Sequence, residues 1–394
     1  MNKKKIFNDP LYGLIGFDHK IIYDLIDHPI FQRLRRIKQM GLADYVYPSA
    51  NHTRFSHSLG ATYLMKKSIE TLIWKGIIIS DEEYKAATIA ILLHDIGHSP
   101  FSHSLEKVFL PYSHEDITLE LLGILNDEFD GQLDVAIKMF ENKYEKKFFH
   151  QLISSQLDVD RLDYLNRDSY FTGVAEGVIG YDRIIKMLNV VDDKLVVEEK
   201  GIYSIEKFLM ARNIMYWQVY MHKTSLVVDK MLEILLEYVY NEAKDQDFNL
   251  LPHSLQVFKQ KKNKSELLKA FLKIDDSDVV LAIKNLTESN DQLIKFLTNG
   301  LLNRKLLKIK LKNSEINGDS HFLNRHRNDF TLISDERLKN KLFISGKISN
   351  DIYDSSKGEE IFILTKNNEI QDISEMVNFL NSLYKNVKYF VIYI

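Results

Sequence analysis

The sequence predicts a mostly α-helical core with small β-hairpins, followed by a smaller α+β C-terminal region. Three observations carry this. Only 6 prolines and 16 glycines punctuate the 394 residues. Through most of the chain, apolar residues recur at three- and four-residue intervals, the period of a helix with one buried face. Near the end that pattern yields to short runs rich in β-branched and aromatic residues, Leu342-Phe343-Ile344, Glu360-Ile361-Phe362-Ile363-Leu364 and Lys388-Tyr389-Phe390-Val391-Ile392-Tyr393, which read as strands. Composition shifts near residue 244, so the core is placed at 1–243 and the C-terminal region at 244–394.

Residues 17–41 read as helix, with Phe17, Ile21, Leu25, Phe31, Leu34 and Ile37 on one side and Pro29 breaking the run in two. Residues 58–76 and 81–96 are strong helices, the second with Asp81 as N-cap and Gly97 as its stop. Pro100 starts a helix to about residue 108, and 114–125 and 132–138 are helical. In a helix over 154–169, Asp160, Tyr164 and Asp168 fall at i, i+4 and i+8 on one narrow face. A hairpin over 190–202 turns at Asp192-Asp193, and 204–243 form one long helix or two. Polar loops at 245–250 and 261–265 flank Lys-rich helices, and a last helix lies near 371–384. There is no internal repeat, no GxGxxG and no P-loop, so phosphates must be held by other means.

Composition narrows the function. At 45% hydrophobic residues the chain can bury a large core. A net charge of -3 and a pI near 6.5 give no global basic field for nucleic acid or an anionic membrane. The Lys-rich stretch 256–312 is interrupted by Glu266, Asp275, Asp276 and Asp278, which suits a solvated face better than a nucleic-acid surface. The absence of cysteine excludes disulfides, thiolate nucleophiles and Cys-ligated zinc. No apolar run approaches the ~20 residues needed to span a bilayer, and the basic start reads as no signal peptide. A cytoplasmic protein is expected.

Four segments carry metal-liking side chains: His57 in Arg54-Phe55-Ser56-His57-Ser58-Leu59-Gly60, the pair His94-Asp95 in Leu92-Leu93-His94-Asp95-Ile96-Gly97-His98, and Asp160 in Asp158-Val159-Asp160-Arg161-Leu162-Asp163-Tyr164. Imidazoles with carboxylates suit a divalent cation that keeps positions open for water and substrate. The competing reading is a buried His–Asp ion pair capped by Arg54. Two adjacent polar ligands on an apolar helix are costly unless paired or metal-bound. Arg54, Arg161, Arg212 and three histidines supply positive charge and donors for a polyphosphate.

In order and spacing these segments resemble the HD-domain metal-dependent phosphohydrolases. Phe31-Gln32-Arg33-Leu34-Arg35-Arg36-Ile37-Lys38-Gln39-Met40-Gly41 and His94-Asp95-Ile96-Gly97-His98-Ser99-Pro100-Phe101-Ser102-His103 are similar to stretches of the dNTP triphosphohydrolase (dGTPase-like) family, in the branch of the sterile-alpha-motif/HD-domain dNTPase. The resemblance covers about residues 5–235. It implies His57, His94, Asp95 and Asp160 as metal ligands, for a divalent ion that could be Mg, Mn, Fe, Zn or Ni. It implies His98, His103 and His114 on the phosphate side, with Glu106 beside His103 where relatives often carry Asp. Arg54, Arg161, Tyr164 and Arg212 would contact phosphates, Asp168 and Tyr220 the sugar or base, and Gln39 and Met40 the sugar. Met221 stands where that branch has a base-reading Gln, which leaves base preference open. Lys5, Asn8, Asp27, Gln32, Arg35 and Arg183 match an activating-nucleotide site at subunit contacts, implying a homo-oligomer, dimer or tetramer. The expected reaction is hydrolysis of a dNTP to deoxynucleoside and triphosphate, with His103 moving the proton. The same ligand set would also serve hydrolysis of nucleoside monophosphates or cyclic dinucleotides.

Overall fold

The computed structural model describes residues 5–259, 263–315, 340–350, 353, 360–377 and 386–394. Among these the chain is mostly helical, with three small sheets. Helix Arg54–Trp74 runs through the centre of the core, packed between helices Asp81–Leu92 and Val159–Thr172. It buries residues on all sides, His57, Gly60 and Leu64 among them, and so behaves as a core helix rather than a surface one.

Several boundaries move for identifiable reasons. The run at 17–41 is helix Lys20–Asp27, a single turn Pro29–Gln32 opened by Pro29 at its first position, and a 3-10 turn Arg33–Arg36. Ser80, not Asp81, caps Asp81–Leu92; its hydroxyl accepts the N–H of Glu83, whose carboxylate reaches back to the N–H of Ser80. That helix stops at Leu92, so His94 and Asp95 sit in the turn just beyond it. Gly97 is not its stop. A Cβ there would lie 2.2 Å from the His114 carbonyl oxygen, so glycine is required where this turn crosses helix His114–Glu128. Residues 100–108 are not one helix either: Phe101 and Ser102 have left-handed φ of 52° and 57°, followed by short turns Ser102–Leu105 and Glu106–Phe109.

Asp158 accepts the N–H of Arg161 and starts the helix Val159–Thr172, five residues later than expected. The hairpin pairs Leu188–Val191 with Lys194–Glu198 through left-handed Asp192 and Asp193. Residues 204–243 resolve into helices Ile202–Met215 and Lys223–Asn241, separated by a π-helical turn Tyr216–Tyr220. Such turns are frequent at functional sites. An additional hairpin, Phe7–Asp9 with Gly13–Ile15, and helix Phe148–Ile153 have no counterpart in the sequence reading.

In the C-terminal region, Asp245–Phe248 is a helical turn rather than loop, and helices Lys264–Phe271, Asp276–Asn285 and Gln292–Leu302 follow. Residues 261 and 262 of the second polar loop lie outside the described residues. Strand Phe362–Leu364 joins the core hairpin by running parallel to Lys194–Glu198, and Ile370–Asp372 closes that sheet. Strands Lys308–Lys312 and Ile344–Asn350 flank Asn386–Tyr393 antiparallel. The helix expected at 371–384 begins as strand Ile370–Asp372 and a turn Ile373–Met376; residues 378–385 lie outside the described residues.

Candidate active site

His57 is one turn into helix Arg54–Trp74 and fully buried. Its Nδ1 bonds Asp163 Oδ2 at 2.7 Å, which aims Nε2 inward. His94 is held in the same way, with Nδ1 donating to the Ile91 carbonyl at 2.7 Å. The two Nε2 atoms stand 3.3 Å apart, and Asp160 Oδ1 lies 3.0 Å from the first and 3.5 Å from the second. Asp95 completes the group, with Oδ1 3.4 Å from His94 Nε2 and Oδ2 3.7 Å from His57 Nε2. Imidazoles fixed through their outer nitrogens, with carboxylates converging on the inner ones, form a donor set suited to a divalent cation. Burial pushes the His57 imidazole down, but Asp160 and Asp163 outweigh it and hold it up at about 10. Asp160 stays well below the usual carboxylate range: burial opposes this, but His57 and His94 prevail.

Gly60 makes the outer bond of His57 geometrically allowed. A Cβ there would fall 2.0 Å from Asp163 Oδ1 and 2.2 Å from Arg167 Nη2. Arg167 answers the Asp163 charge through Nε at 2.8 Å and Nη2 at 3.0 Å, and ties it to Asp9 of the N-terminal hairpin at 2.9 Å.

Above this group opens a cavity of about 630 Å³. Arg54, Asp95, Asp160, Tyr164, Asp168, Tyr220, Gln39, Met40 and Met221 line it, as do His98, His103, His114 and Glu106. The three histidines form one cluster, with rings of His98 and His114 4.1 Å apart and His103 5.1 Å from each. Glu106 joins two of them, accepting from the His114 backbone at 2.9 Å, bonding His114 Nδ1 at 2.6 Å and standing 3.4 Å from His103 Nδ1. Those bonds, that of His103 first, hold its carboxyl well below the usual range. His98 is buried, with Nε2 lacking a hydrogen-bond partner among the described residues. Burial and then the Arg54 charge push its imidazole down, so it stays neutral. His103, by contrast, is exposed. At the other wall, Asp168 is bonded by His52 Nε2 at 2.6 Å and by the Tyr220 hydroxyl at 2.8 Å, and the Tyr164 and Tyr220 rings meet edge-on at 6.1 Å.

Two arginines expected at the phosphates do not line this cavity. Arg161 is paired with Asp158, and Arg212 donates to Gln156 at 2.7 Å. Of the residues expected to bind a second nucleotide, Lys5 pairs with Asp27, Arg35 donates to Gln32 at 2.8 Å, and Arg183 donates to the Lys200 carbonyl at 3.0 Å. Asn8 lies opposite Leu14 in the hairpin. None of the six lines the cavity. Asp163 and two residues of the cavity wall, Ser102 and Asp229 (which accepts the Ser104 hydroxyl at 2.7 Å), were not singled out from the sequence. Asp163 alone carried a signal, one helical turn after Asp160.

A helical core that aims two imidazoles and carboxylates at one point beneath a cavity carrying further histidines defines a metal-dependent hydrolase. The families described as HD domain and HD associated region match residues 54–168 and 179–254. A phosphohydrolase of known crystal structure from Bacteroides thetaiotaomicron superposes over the whole of both chains with a TM-score of 0.91 and 41% identity. The uncharacterized protein YwfO of Bacillus subtilis is 31% identical over 97% of this chain and 90% of its own length. The Dictyostelium discoideum homologue of deoxynucleoside triphosphate triphosphohydrolase SAMHD1 is 32% identical over 61% of this chain and 49% of its own length, so this chain spans about half of that protein. The chain belongs to the HD-domain phosphohydrolases, a metal-dependent family that includes nucleotide hydrolases. No helix among the described residues is long and apolar enough to cross a membrane.

Proposed function

We propose that this protein hydrolyses deoxynucleoside triphosphates at the α-phosphorus, releasing deoxynucleoside and triphosphate. The observation that carries the reading is the cavity itself: a metal donor set in its floor, a three-histidine cluster on one side and the Tyr220–Asp168 pair on the other. His57, His94, Asp95 and Asp160 would hold the divalent ion, which would polarise a phosphate oxygen. Arg54 and neutral His98 face the phosphate chain. His103, the exposed member of the cluster, moves the proton, and Glu106 and His114 orient it. Tyr220, braced by Asp168, presents its ring at the sugar and excludes a 2′-hydroxyl by crowding. Met221, in the same wall, reads no base edge.

In the same reading a second nucleotide, bound where copies of the chain meet, activates the enzyme through Lys5, Asn8, Asp27, Gln32, Arg35 and Arg183. The Arg35 guanidinium lies 3.6 Å from the centre of the Phe55 ring, next to the cavity residue Arg54, which supports coupling between the two places. Incubation with each dNTP and several divalent metals, followed by chromatography, tests the reaction. Free triphosphate is expected; orthophosphate or a linear dinucleotide from other nucleotides would assign the monophosphate or cyclic-dinucleotide chemistry instead. Arg35→Ala should change oligomer mass or nucleotide response, and a variant unchanged in both removes the regulatory part.

A further inference from the structure

Two turns form the wall of the cavity nearest His98, and neither is held by its own neighbours alone. One is the Lys38–Gly41 stretch, the other His98–Ser102. They interlock: the Ser102 hydroxyl donates to the Lys38 carbonyl at 2.7 Å, and a Cβ on Gly41 would lie 2.9 Å from the Phe101 carbonyl oxygen. The second turn contains Phe101 and Ser102 in left-handed conformation, which non-glycine residues keep only when their surroundings impose it.

What imposes it comes from far along the chain, outside both matched family regions. Asp276, 8% exposed, begins helix Asp276–Asn285. Its Oδ1 accepts the N–H of Phe101 at 2.7 Å and its Oδ2 accepts the N–H of Lys38 at 2.9 Å. Arg33, 1% exposed, makes a second tie: Nε donates to the Ile274 carbonyl at 2.8 Å, Nη1 to the His98 carbonyl at 2.9 Å, and the guanidinium lies 4.5 Å from the centre of the Phe271 ring. The chain of contacts continues inward. Arg54 Nε donates to the Ser102 hydroxyl at 2.8 Å, and its Nη1 bonds Asp95.

We propose that Asp276 is a positioning residue of the active site: its carboxylate bridges the backbones of the Lys38 and Phe101 turns, fixes the left-handed turn, and through Ser102 and Arg54 sets Asp95, whose Oδ1 lies 3.2 Å from His98 Nδ1. The C-terminal region is thereby part of the catalytic apparatus without lining the cavity. The inference rests on the cavity being the catalytic site, whichever nucleotide it takes.

The test compares Asp276→Asn with Asp278→Asn in the full chain. Asp278 accepts from the Asp275 N–H at 2.9 Å and the Ser254 hydroxyl at 2.6 Å, supporting the same helix without touching either turn. Asparagine at 276 has one acceptor for two N–H donors, so one turn is released. Amide exchange over residues 37–41 and 98–104 should speed up in Asp276→Asn and stay at the wild-type rate in Asp278→Asn. On the nucleotide that the wild type hydrolyses, kcat should fall about ten- to a hundredfold in Asp276→Asn with KM nearly unchanged, the size of effect that misplacing groups by about 1 Å produces. Unchanged exchange, or a kcat loss no larger than that of Asp278→Asn, overturns the proposal. Should the wild type hydrolyse none of the nucleotides offered, the exchange comparison still decides the clamp, and it is the substrate reading that fails.

Discussion

Replacing Asp163 with Asn changes almost no volume, yet it removes the charge on which the metal floor is built. Asp163 is fully buried and meets three donors: His57 Nδ1 at 2.7 Å and Arg167 Nε and Nη2 at 2.8 and 3.0 Å. An amide offers one acceptor oxygen and turns an NH₂ toward the remaining donors. Two losses follow. Groups that orient a metal-binding histidine typically contribute about 10–100-fold in affinity, or roughly 1.4–2.8 kcal/mol. Breaking a buried ion pair by removing one partner costs about 3–5 kcal/mol; Arg167 keeps Asp9, so the lower end applies. Calorimetric metal titration of the metal-free chain measures the first loss, and urea denaturation without metal measures the second. Asp163 does not line the cavity, so turnover at saturating metal should return close to the wild-type rate. Wild-type metal affinity in Asp163→Asn, or turnover that stays low with metal in excess, would refute the orienting role.

Three further outcomes are expected. His103→Ala should retain metal, by elemental analysis, and lose about 10²-fold or more in initial rate; a near-normal rate moves the proton-transfer role to His98 or His114. Gly97→Ala drives a Cβ to within 2.2 Å of the His114 carbonyl, so overpacking should destabilise by about 1–3 kcal/mol and separate His98 from His114. Denaturation and rate measurements check this, and an unaltered variant means the crossing relaxes freely. The third is a pH dependence. Burial raises the Asp276 carboxyl from 3.8 to about 6. The folded chain then keeps a proton that the unfolded chain has already lost. Wild-type stability should therefore fall relative to Asp276→Asn as pH rises from about 4 to 6, by up to roughly 3 kcal/mol for a two-unit shift. Urea denaturation near pH 4 and pH 7 compares the two, and a gap equal at both means that Asp276 titrates as in the unfolded chain.

Much of the architecture was legible because it is local. The three- and four-residue periodicity gave the long helices, and the spacing of Asp160, Tyr164 and Asp168 put three side chains on a single face, which all three present to the cavity. The hairpin expected at 190–202 was legible from Asp192-Asp193, whose left-handed conformations close it, though its strands run Leu188–Val191 and Lys194–Glu198 and residues 199–202 are already helical. Elements too short to show a period were missed: the strands Phe7–Asp9 and Gly13–Ile15 have three residues each. Arginine placement was also beyond reach. The Asp158 that caps a helix also takes the Arg161 side chain, and periodicity cannot see that competition. Gly97 shows the same limit, since a glycine required by a crossing helix looks in sequence like one that ends a helix.

Features of the site that no sequence pattern shows, among them the environment of the expected His98, share a physical character. Phe101 and Ser102 occupy a backbone region that disfavours them, His98 keeps a buried nitrogen without a partner among the described residues, and Asp276 holds a carboxylate where burial opposes its charge. Each breaks a local rule, and no neighbour in sequence compensates for it. All three lie on or behind one wall of the cavity, joined through Asp276, Arg33 and Ser102. Local departures of this kind beside a candidate site are what preorganisation of that site would require. The floor of the proposed metal site, by contrast, is built from satisfied pairs, Asp163 with Arg167 and His94 with a backbone carbonyl. Left-handed Asp192 and Asp193 merely close a hairpin, whereas Phe101 and Ser102 stand in the cavity wall, where their conformation sets the position of side chains that face the opening.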